Sequence, residues 1–144
     1  MTKQKLGKHI ASAFVLIVFG ILAVGSIDPD TDMDTEKIQA QTPIYTVTAN
    51  QLYHEYVSNE VAADLKYKGK VIIISGIIQE IGLDIMDDAY IIIGGTGFLD
   101  GVQCLFTTGQ QSSVARVSKG QRVAVKCEVS GKMGNILVYK STIQ

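Results

Sequence analysis

The strongest hydrophobic pattern in the chain is an uncharged, mostly apolar run over residues 10–27. Lys3, Lys5 and Lys8 precede this run, and an acidic stretch that begins at Asp28 follows it. As a helix, the 18 residues of the run would reach roughly 27 Å, against a bilayer hydrocarbon core of about 30 Å. The pattern predicts that residues 1–27 are a signal anchor that spans a membrane.

The lysines before the run indicate its orientation, because lysine-rich flanks stay on the cytoplasmic side of a membrane. The N-terminus is therefore predicted inside, and the rest of the chain is predicted to be extracytoplasmic. A cleaved signal peptide is the alternative, because Ala23, Val24 and Gly25 before Ser26 have the small-residue form that signal peptidase accepts. In that case the mature protein is secreted or periplasmic after cleavage near Gly25.

Residues 28–42 are acidic and polar, and they predict a solvated linker. Their alternating acids resemble the ligand spacing of a calcium loop. Such a loop needs glycine at its sixth position and a bidentate glutamate at its twelfth, where this chain has Met33 and Gln39. The pattern therefore predicts a self-repelling spacer and no metal site.

The folded domain is predicted over residues 43–144, and it begins with a helical segment. Thr48 and Gln51 fit a capping box, and Gly69 is a typical helix stop. The apolar face of this segment is predicted to consist of Leu52, Tyr56, Val61, Ala62 and Leu65.

Five β-rich segments follow, at residues 71–81, 89–93, 102–106, 121–129 and 136–140. Gly76 interrupts the first of them and indicates a bulge or bend. The fourth alternates strictly, which places one set inside, Val123, Val125, Cys127 and Val129, and another outside, Arg122, Lys126 and Glu128. Residues 110–117 predict one or two helical turns, and residues 130–135 predict a turn.

This order of elements predicts a mostly β domain, a five-stranded OB-fold Greek-key barrel with an N-terminal helical segment. The membrane or signal helix precedes it. An open five-stranded sheet with the helix on one face is the alternative.

The charge of the exported part bears on its partner. From residue 28 onward the chain has 10 basic and 14 acidic residues, a net charge of −4, and the whole chain has no tryptophan. Single-stranded nucleic acid is bound by basic grooves with exposed aromatic rings. The composition therefore disfavours nucleic acid as the partner.

The residues that could carry chemistry favour no enzymatic activity, no cofactor and no metal. Cys104 and Cys127 lie on apolar strand faces and are predicted as buried thiols, with a disulfide across the interior as the alternative. His54 lacks a poised nucleophile nearby. The acids at 84, 87 and 88 predict a hydrated turn, and the glycine-rich residues 94–97 predict a flexible hairpin loop rather than a phosphate loop.

Several short motifs resemble the tRNA_anti-like family of bacterial OB-fold domains. They are Asn59, Ala62 and Ala63, residues 67–71, 75–77 and 102–106, Asp84, Tyr90, residues 120–123, Ser130 and Gly131. The resemblance covers about residues 48–142. It implies an exported, often lipid-anchored OB domain whose members are regarded as nucleic-acid binding by analogy. This chain has no lipobox cysteine, which favours a helical anchor, and it has Ser141 and Thr142 where members often have a terminal-strand cysteine.

These observations predict an extracytoplasmic binding module whose partner is a protein, peptide or glycan of the cell envelope. A single-stranded nucleic-acid-binding OB domain is the alternative. The OB fold places a ligand face on its second and third strands and the flanking loops. The candidate ligand-binding residues are Tyr90, Phe98, Lys132 and Tyr139.

The topology can be tested with reporter fusions placed after Gln144. A reporter that is active only outside the cytoplasm should be active there, because the lysine flank keeps the N-terminus inside. Activity of a cytoplasm-only reporter at the same position would contradict the predicted orientation.

Overall fold

The structure is a computed structural model that describes residues 33–97 and 99–144. The predicted membrane or signal segment at residues 10–27 and the first part of the predicted linker lie outside these residues, as does Phe98. Within the described residues, no helix is both long enough and apolar enough to cross a membrane.

The described chain contains four α-helices, one 3₁₀ turn and six strands. The helices are α1 (Met33–Ala40), α2 (Ala49–Ser58), α3 (Glu60–Tyr67) and α4 (Gln111–Val114), with the 3₁₀ turn Thr108–Gln110 directly before α4. The strands are β1 (Tyr45–Thr48), β2 (Val71–Leu83), β3 (Ala89–Ile93), β4 (Val102–Leu105), β5 (Arg122–Met133) and β6 (Asn135–Ile143).

Five of the strands close into a barrel in the order β2-β3-β4-β6-β5, and β5 pairs back with β2. The β4–β6 pairing is parallel, and the other four pairings of the barrel are antiparallel. This is an OB-like Greek-key barrel, so that prediction is confirmed and the open sheet is wrong. A sixth strand, β1, pairs in parallel with the first half of β2 and has no counterpart in the sequence prediction.

Inward side chains of the barrel strands form a single core with α2 and α3. The alternation predicted for β5 is confirmed for its inner face, where Val123, Val125, Cys127 and Val129 are all buried. Cys104 and Cys127 are free, buried thiols, and burial raises the pKa of both. They fill core volume as small apolar groups.

The helical segment, for which the sequence allows one or two pieces, consists of two separately capped helices. The Thr48 hydroxyl accepts the Gln51 N–H at 3.1 Å and begins α2, and the Asn59 side chain accepts the Ala62 N–H at 3.0 Å and begins α3. The break at Asn59 changes which residues face the core. Ala63 and Tyr67 are buried, whereas Val61, Ala62 and Leu65, which were expected on the apolar face, are exposed.

Part of the predicted linker is helix α1, which packs on the outer surface of β5 and β6. Ile38 is 2% exposed, and the Lys126 ammonium donates to the Gln39 carbonyl at 2.7 Å. Lys126 was predicted on a solvent-facing side, but α1 covers it and leaves it 7% exposed. The lysine supplies a donor to a carbonyl in the last turn of the helix, where intrahelical partners are lacking.

Two further predictions change in the strands. The irregularity in β2 lies between Ile78 and Glu80 rather than at Gly76, where the backbone instead approaches Ala49 so closely that a Cβ would lie 3.2 Å from its Cβ. Most of residues 130–135 are strand, and Gly134, with φ 76°, separates β5 from β6. This one glycine is enough to make the turn between the two strands, because a residue without a Cβ adopts positive φ without steric cost.

The two faces of β5 can be tested by denaturant titration. Val125→Ala should lower the free energy of unfolding by roughly 1–3 kcal/mol, because it leaves a void in the core. Lys126→Ala should lower it by about 1 kcal/mol, because it removes the hydrogen bond to α1 and buried methylene contacts. Lys119→Ala, at an exposed position, should leave it unchanged. Equal stability of the two lysine variants would show that α1 does not depend on Lys126.

Candidate ligand face

The outward side chains of β2, β3, β4 and β6 form two rows across the barrel. Direct pairing of neighbouring strands makes the first row, Glu80, Ile92, Gln103 and Leu137. The second row begins with the directly paired residues Gly82, Tyr90 and Leu105. Tyr139 completes the row beside Leu105, because the preceding residues of these two parallel strands, Cys104 and Val138, are paired. We call these two rows the outer face. Apart from Glu80, the outer face carries no charged side chain.

Tyr90 is the fixed aromatic residue of the outer face. Its ring lies over Gly82, where an added Cβ would come within 2.7 Å of the ring Cζ and hydroxyl oxygen. Its hydroxyl donates to Glu80 Oε1 at 2.7 Å. This hydrogen bond, followed by desolvation and the negative charge of Glu80, raises the pKa of the Tyr90 hydroxyl. Gly82 therefore leaves the space that the Tyr90 ring occupies, and the hydrogen bond to Glu80 holds the ring there.

A groove of about 450 Å³ lies beside Tyr90 on this surface. Its lining is mostly apolar and comes from β2, β3, β4, the loops and the start of β6: Glu80, Leu83, Asp84, Ile85, Tyr90, Ile92, Leu99, Gln103 and Asn135. Ile85 is fully exposed, and Leu83 and Leu99 are also exposed. The groove therefore offers apolar contacts that the fold itself does not cover.

The loop between β2 and β3 forms one wall of the groove and is ordered by Asp84. Asp84 Oδ1 accepts the backbone N–H groups of Met86 at 2.8 Å and Asp88 at 3.0 Å. Such carboxylate-to-backbone bonds stabilise a turn. They hold the loop in a conformation in which Ile85 and Met86 are exposed to solvent. The acidic turn predicted from the sequence therefore presents apolar side chains at its tip.

The electrostatic character of the groove is acidic, because its lining includes Glu80 and Asp84 and no lysine or arginine. The net charge of −4 has a different origin: residues 28–42 hold five acids and one lysine, whereas residues 43–144 hold nine acidic and nine basic residues. The net-charge argument against nucleic acid therefore applies to residues 28–42, which include α1, and not to residues 43–144. What bears on the ligand is the local charge of the groove.

The lysines at the end of α3 are engaged within the protein. Lys66 pairs with Glu55 at 2.7 Å, and Lys68 pairs with Asp64 at 3.3 Å. The Lys70 ammonium donates to the Lys66 carbonyl at 2.6 Å. Each of these ammonium groups already donates to an oxygen of the protein, and Glu55 and Asp64 offset part of the positive charge, so the cluster attracts an anion less strongly than three unpaired lysines would.

The glycine-rich loop after β3 uses its own N–H groups internally. The Asp100 carboxylate accepts the backbone N–H groups of Thr96 at 3.0 Å and Gly97 at 2.9 Å, and these bonds lower the pKa of Asp100. The Gly95 N–H binds the Asn50 side chain at 3.2 Å. The loop is therefore tied to α2 and to Asp100 rather than free, and its donors are not available to a phosphate.

The four residues predicted to bind a ligand have different places in the structure. Tyr90 lines the groove, and Tyr139 lies on the outer face with 42% of its surface exposed. Lys132 is on β5 opposite the buried Ile136 and is not part of the groove lining. Phe98 lies outside the described residues. A binding role for each of the four stays a prediction.

The sequence prediction missed Glu80, Leu83 and Leu99 as parts of the groove. The available signal was the pairing of Gly82 with an aromatic residue on the next strand, because a glycine there leaves room for a ring.

Elsewhere, His54 lines an open groove on α2 and α3 with Glu55 and Lys66. In the part of the chain that the structure describes, no three His, Cys, Asp or Glu side chains are grouped so that they could hold a metal ion.

The profile of the tRNA_anti-like family matches residues 1–142, so the chain belongs to this family. No curated protein matches the chain. The match extends well beyond residues 48–142, on which the resemblance of the motifs rests.

A solved structure with low sequence identity shows the same fold. A candidate nucleic acid-binding lipoprotein from Klebsiella pneumoniae subsp. pneumoniae MGH 78578 is 14% identical with a TM-score of 0.57, covering 76% of this chain and 96% of that chain. Two OBodies, each bound to hen egg-white lysozyme, are 14% and 17% identical with TM-scores of 0.43 and 0.39. They cover 54% and 52% of this chain, and 84% and 94% of their own. The Klebsiella likeness supports the OB-like fold alone.

The contact between Tyr90 and Glu80 predicts a pH effect. The pKa of the Tyr90 hydroxyl is higher in the folded protein than in the unfolded chain, so the neutral hydroxyl stabilises the fold. This stabilisation is complete below the pKa of about 10 in the unfolded chain, and it is lost as the pH rises through the higher pKa in the folded protein. Glu80→Gln should lower the pKa of Tyr90 toward its ordinary value, because it removes the carboxylate charge. The difference in tyrosinate absorbance between the protein and its Tyr90→Phe variant measures this titration. Glu60→Gln serves as the control, and an equal shift in that variant would contradict the assignment.

Proposed function

We propose that this chain is a non-enzymatic OB-fold binding module of the cell envelope. Residues 10–27 anchor it in the membrane with the barrel outside the cytoplasm, and its outer face binds an envelope protein, peptide or glycan. The observation that carries the proposal is the groove beside Tyr90. Its exposed apolar lining, fixed tyrosine and two carboxylates are suited to a partner without the negatively charged phosphate backbone of a nucleic acid.

The proposed location rests on the lysine-flanked apolar run and on the position of α1. Only residues 28–32 separate the end of the apolar run from α1, which packs on the barrel. Five extended residues reach at most about 17 Å. An anchored barrel would therefore lie close to the membrane surface. The description of the Klebsiella protein as a lipoprotein is in keeping with a place at the envelope.

The proposed absence of catalysis rests on the state of the groups that could act as nucleophiles. Both thiols are buried, and burial raises their pKa, so neither provides a thiolate near neutral pH. The Tyr90 hydroxyl also has a raised pKa and is bonded to Glu80. These groups support a role in packing and binding rather than in bond breaking.

Single-stranded nucleic acid is the second candidate ligand. Two observations favour it: Tyr90 and Tyr139 lie on one outer face, where bases could stack, and the Klebsiella protein is described as a candidate nucleic-acid binder. The charge of the groove weighs against it, because phosphate contacts come chiefly from lysine and arginine. On balance, the local charge favours the envelope partner.

Oligonucleotide binding by a soluble fragment of residues 28–144 tests the choice between these ligands. This fragment keeps α1, which packs on the barrel. We expect no measurable binding of single-stranded DNA or RNA even at low salt, because counterion release at an acidic groove is small. Micromolar or tighter binding that weakens with salt, and that Tyr90→Ala or Lys132→Ala abolishes, would reverse the ranking. Lys119→Ala is the matched control for the loss of a surface lysine.

A further inference from the structure

We propose that the groove is a receptor for a lysine or arginine side chain presented by an extended, partly apolar segment of a partner protein. This inference rests on the proposed function, and it names the class of ligand. The occupant follows from charge complementarity, because an apolar groove with two carboxylates and no cation in its lining matches a cation with apolar neighbours.

Glu80 and Tyr90 together form the subsite for the cation. The Tyr90 hydroxyl binds Glu80 Oε1, and among the described residues no donor binds Glu80 Oε2. An ammonium or guanidinium group at this point meets both a carboxylate oxygen and the adjacent ring. Carboxylates form strong charge-assisted hydrogen bonds with these cations, and aromatic faces attract them. The ring is already held in place over Gly82, so little order is lost when the cation binds.

Asp84 adds a second negative charge to the same groove. Its Oδ1 serves the turn by accepting two backbone N–H groups, and its Oδ2 accepts none from the described residues. A phosphate or another carboxylate would meet two like charges here. An uncharged glycan would leave both carboxylates without a counter-charge. The groove therefore discriminates by charge.

The apolar wall determines what must accompany the cation. Leu83, Ile85 and Leu99 are exposed beside the subsite. In an extended peptide, alternate side chains point the same way at intervals of about 7 Å. A segment with a lysine or arginine and an apolar residue two positions away can therefore place both in the groove. A volume of about 450 Å³ suffices for two or three side chains.

The test uses the full chain in lipid nanodiscs and two fluorescein-labelled probe peptides. Both are short and unstructured, with one leucine two positions before and one leucine two positions after a central residue, which is lysine in one peptide and glutamate in the other. Variants Glu80→Gln and Tyr90→Leu alter the subsite. Glu80→Gln keeps an acceptor for the Tyr90 hydroxyl, so it tests charge without loss of folding. Glu60→Gln on α3 is the matched control.

We expect the lysine peptide to bind more tightly than the glutamate peptide. Glu80→Gln should weaken it by about fivefold, as expected for loss of one partly exposed ion pair, and Glu60→Gln should not change it. Equal binding of both peptides, no binding of either, or no effect of Glu80→Gln would overturn this inference. A single-stranded oligonucleotide is the third probe. Its binding, lost in Tyr90→Leu, would instead overturn the proposed function.

Discussion

The barrel and its outer face both depend on strand β2, which pairs with β5 along its first half and with β3 along its second. Near the start of the second half, between Ile78 and Glu80, Gln79 is an extra residue in the pairing of β2 with β3. A bulge of one residue exchanges the two faces of a strand. Ile78 points into the core before the bulge and Ile81 packs against it afterwards, so Glu80 and Gly82 lie on the outside. The groove and the place of Tyr90 are consequences of that exchange.

Charge is distributed unevenly along the chain. Residues 28–42 hold five acids and one lysine, and this excess accounts for the whole net charge of residues 28–144. The barrel is balanced, and several of its lysines are bound to carboxylates or carbonyls on the side of α3 and α1. This leaves the groove beside Tyr90 acidic. Local charge therefore informs the choice of ligand better than the total does.

The sequence was sufficient for the barrel because inward and outward residues alternate along most of the strand length, as they do from Val123 to Val129. The sequence was insufficient to predict α1, because its eight residues have little amphipathic pattern. This helix is stabilised by contacts with β5, which is distant in sequence, such as the hydrogen bond from Lys126 to the Gln39 carbonyl. The sequence was also insufficient for Glu80, because uninterrupted alternation from Ile78 would place that residue inside. Bulges and distant contacts arise from pairing between segments, and a local pattern does not encode them.

The groove beside Tyr90 is proposed as a protein-binding site. A photocrosslinking amino acid at Ile85, which is fully exposed in the groove wall, tests it in living cells, with the exposed Leu65 on α3 as the control position. The account predicts an adduct at position 85 and none at position 65, and it predicts that the adduct is destroyed by protease and resists nuclease. An adduct at position 85 whose size falls after nuclease treatment would contradict it.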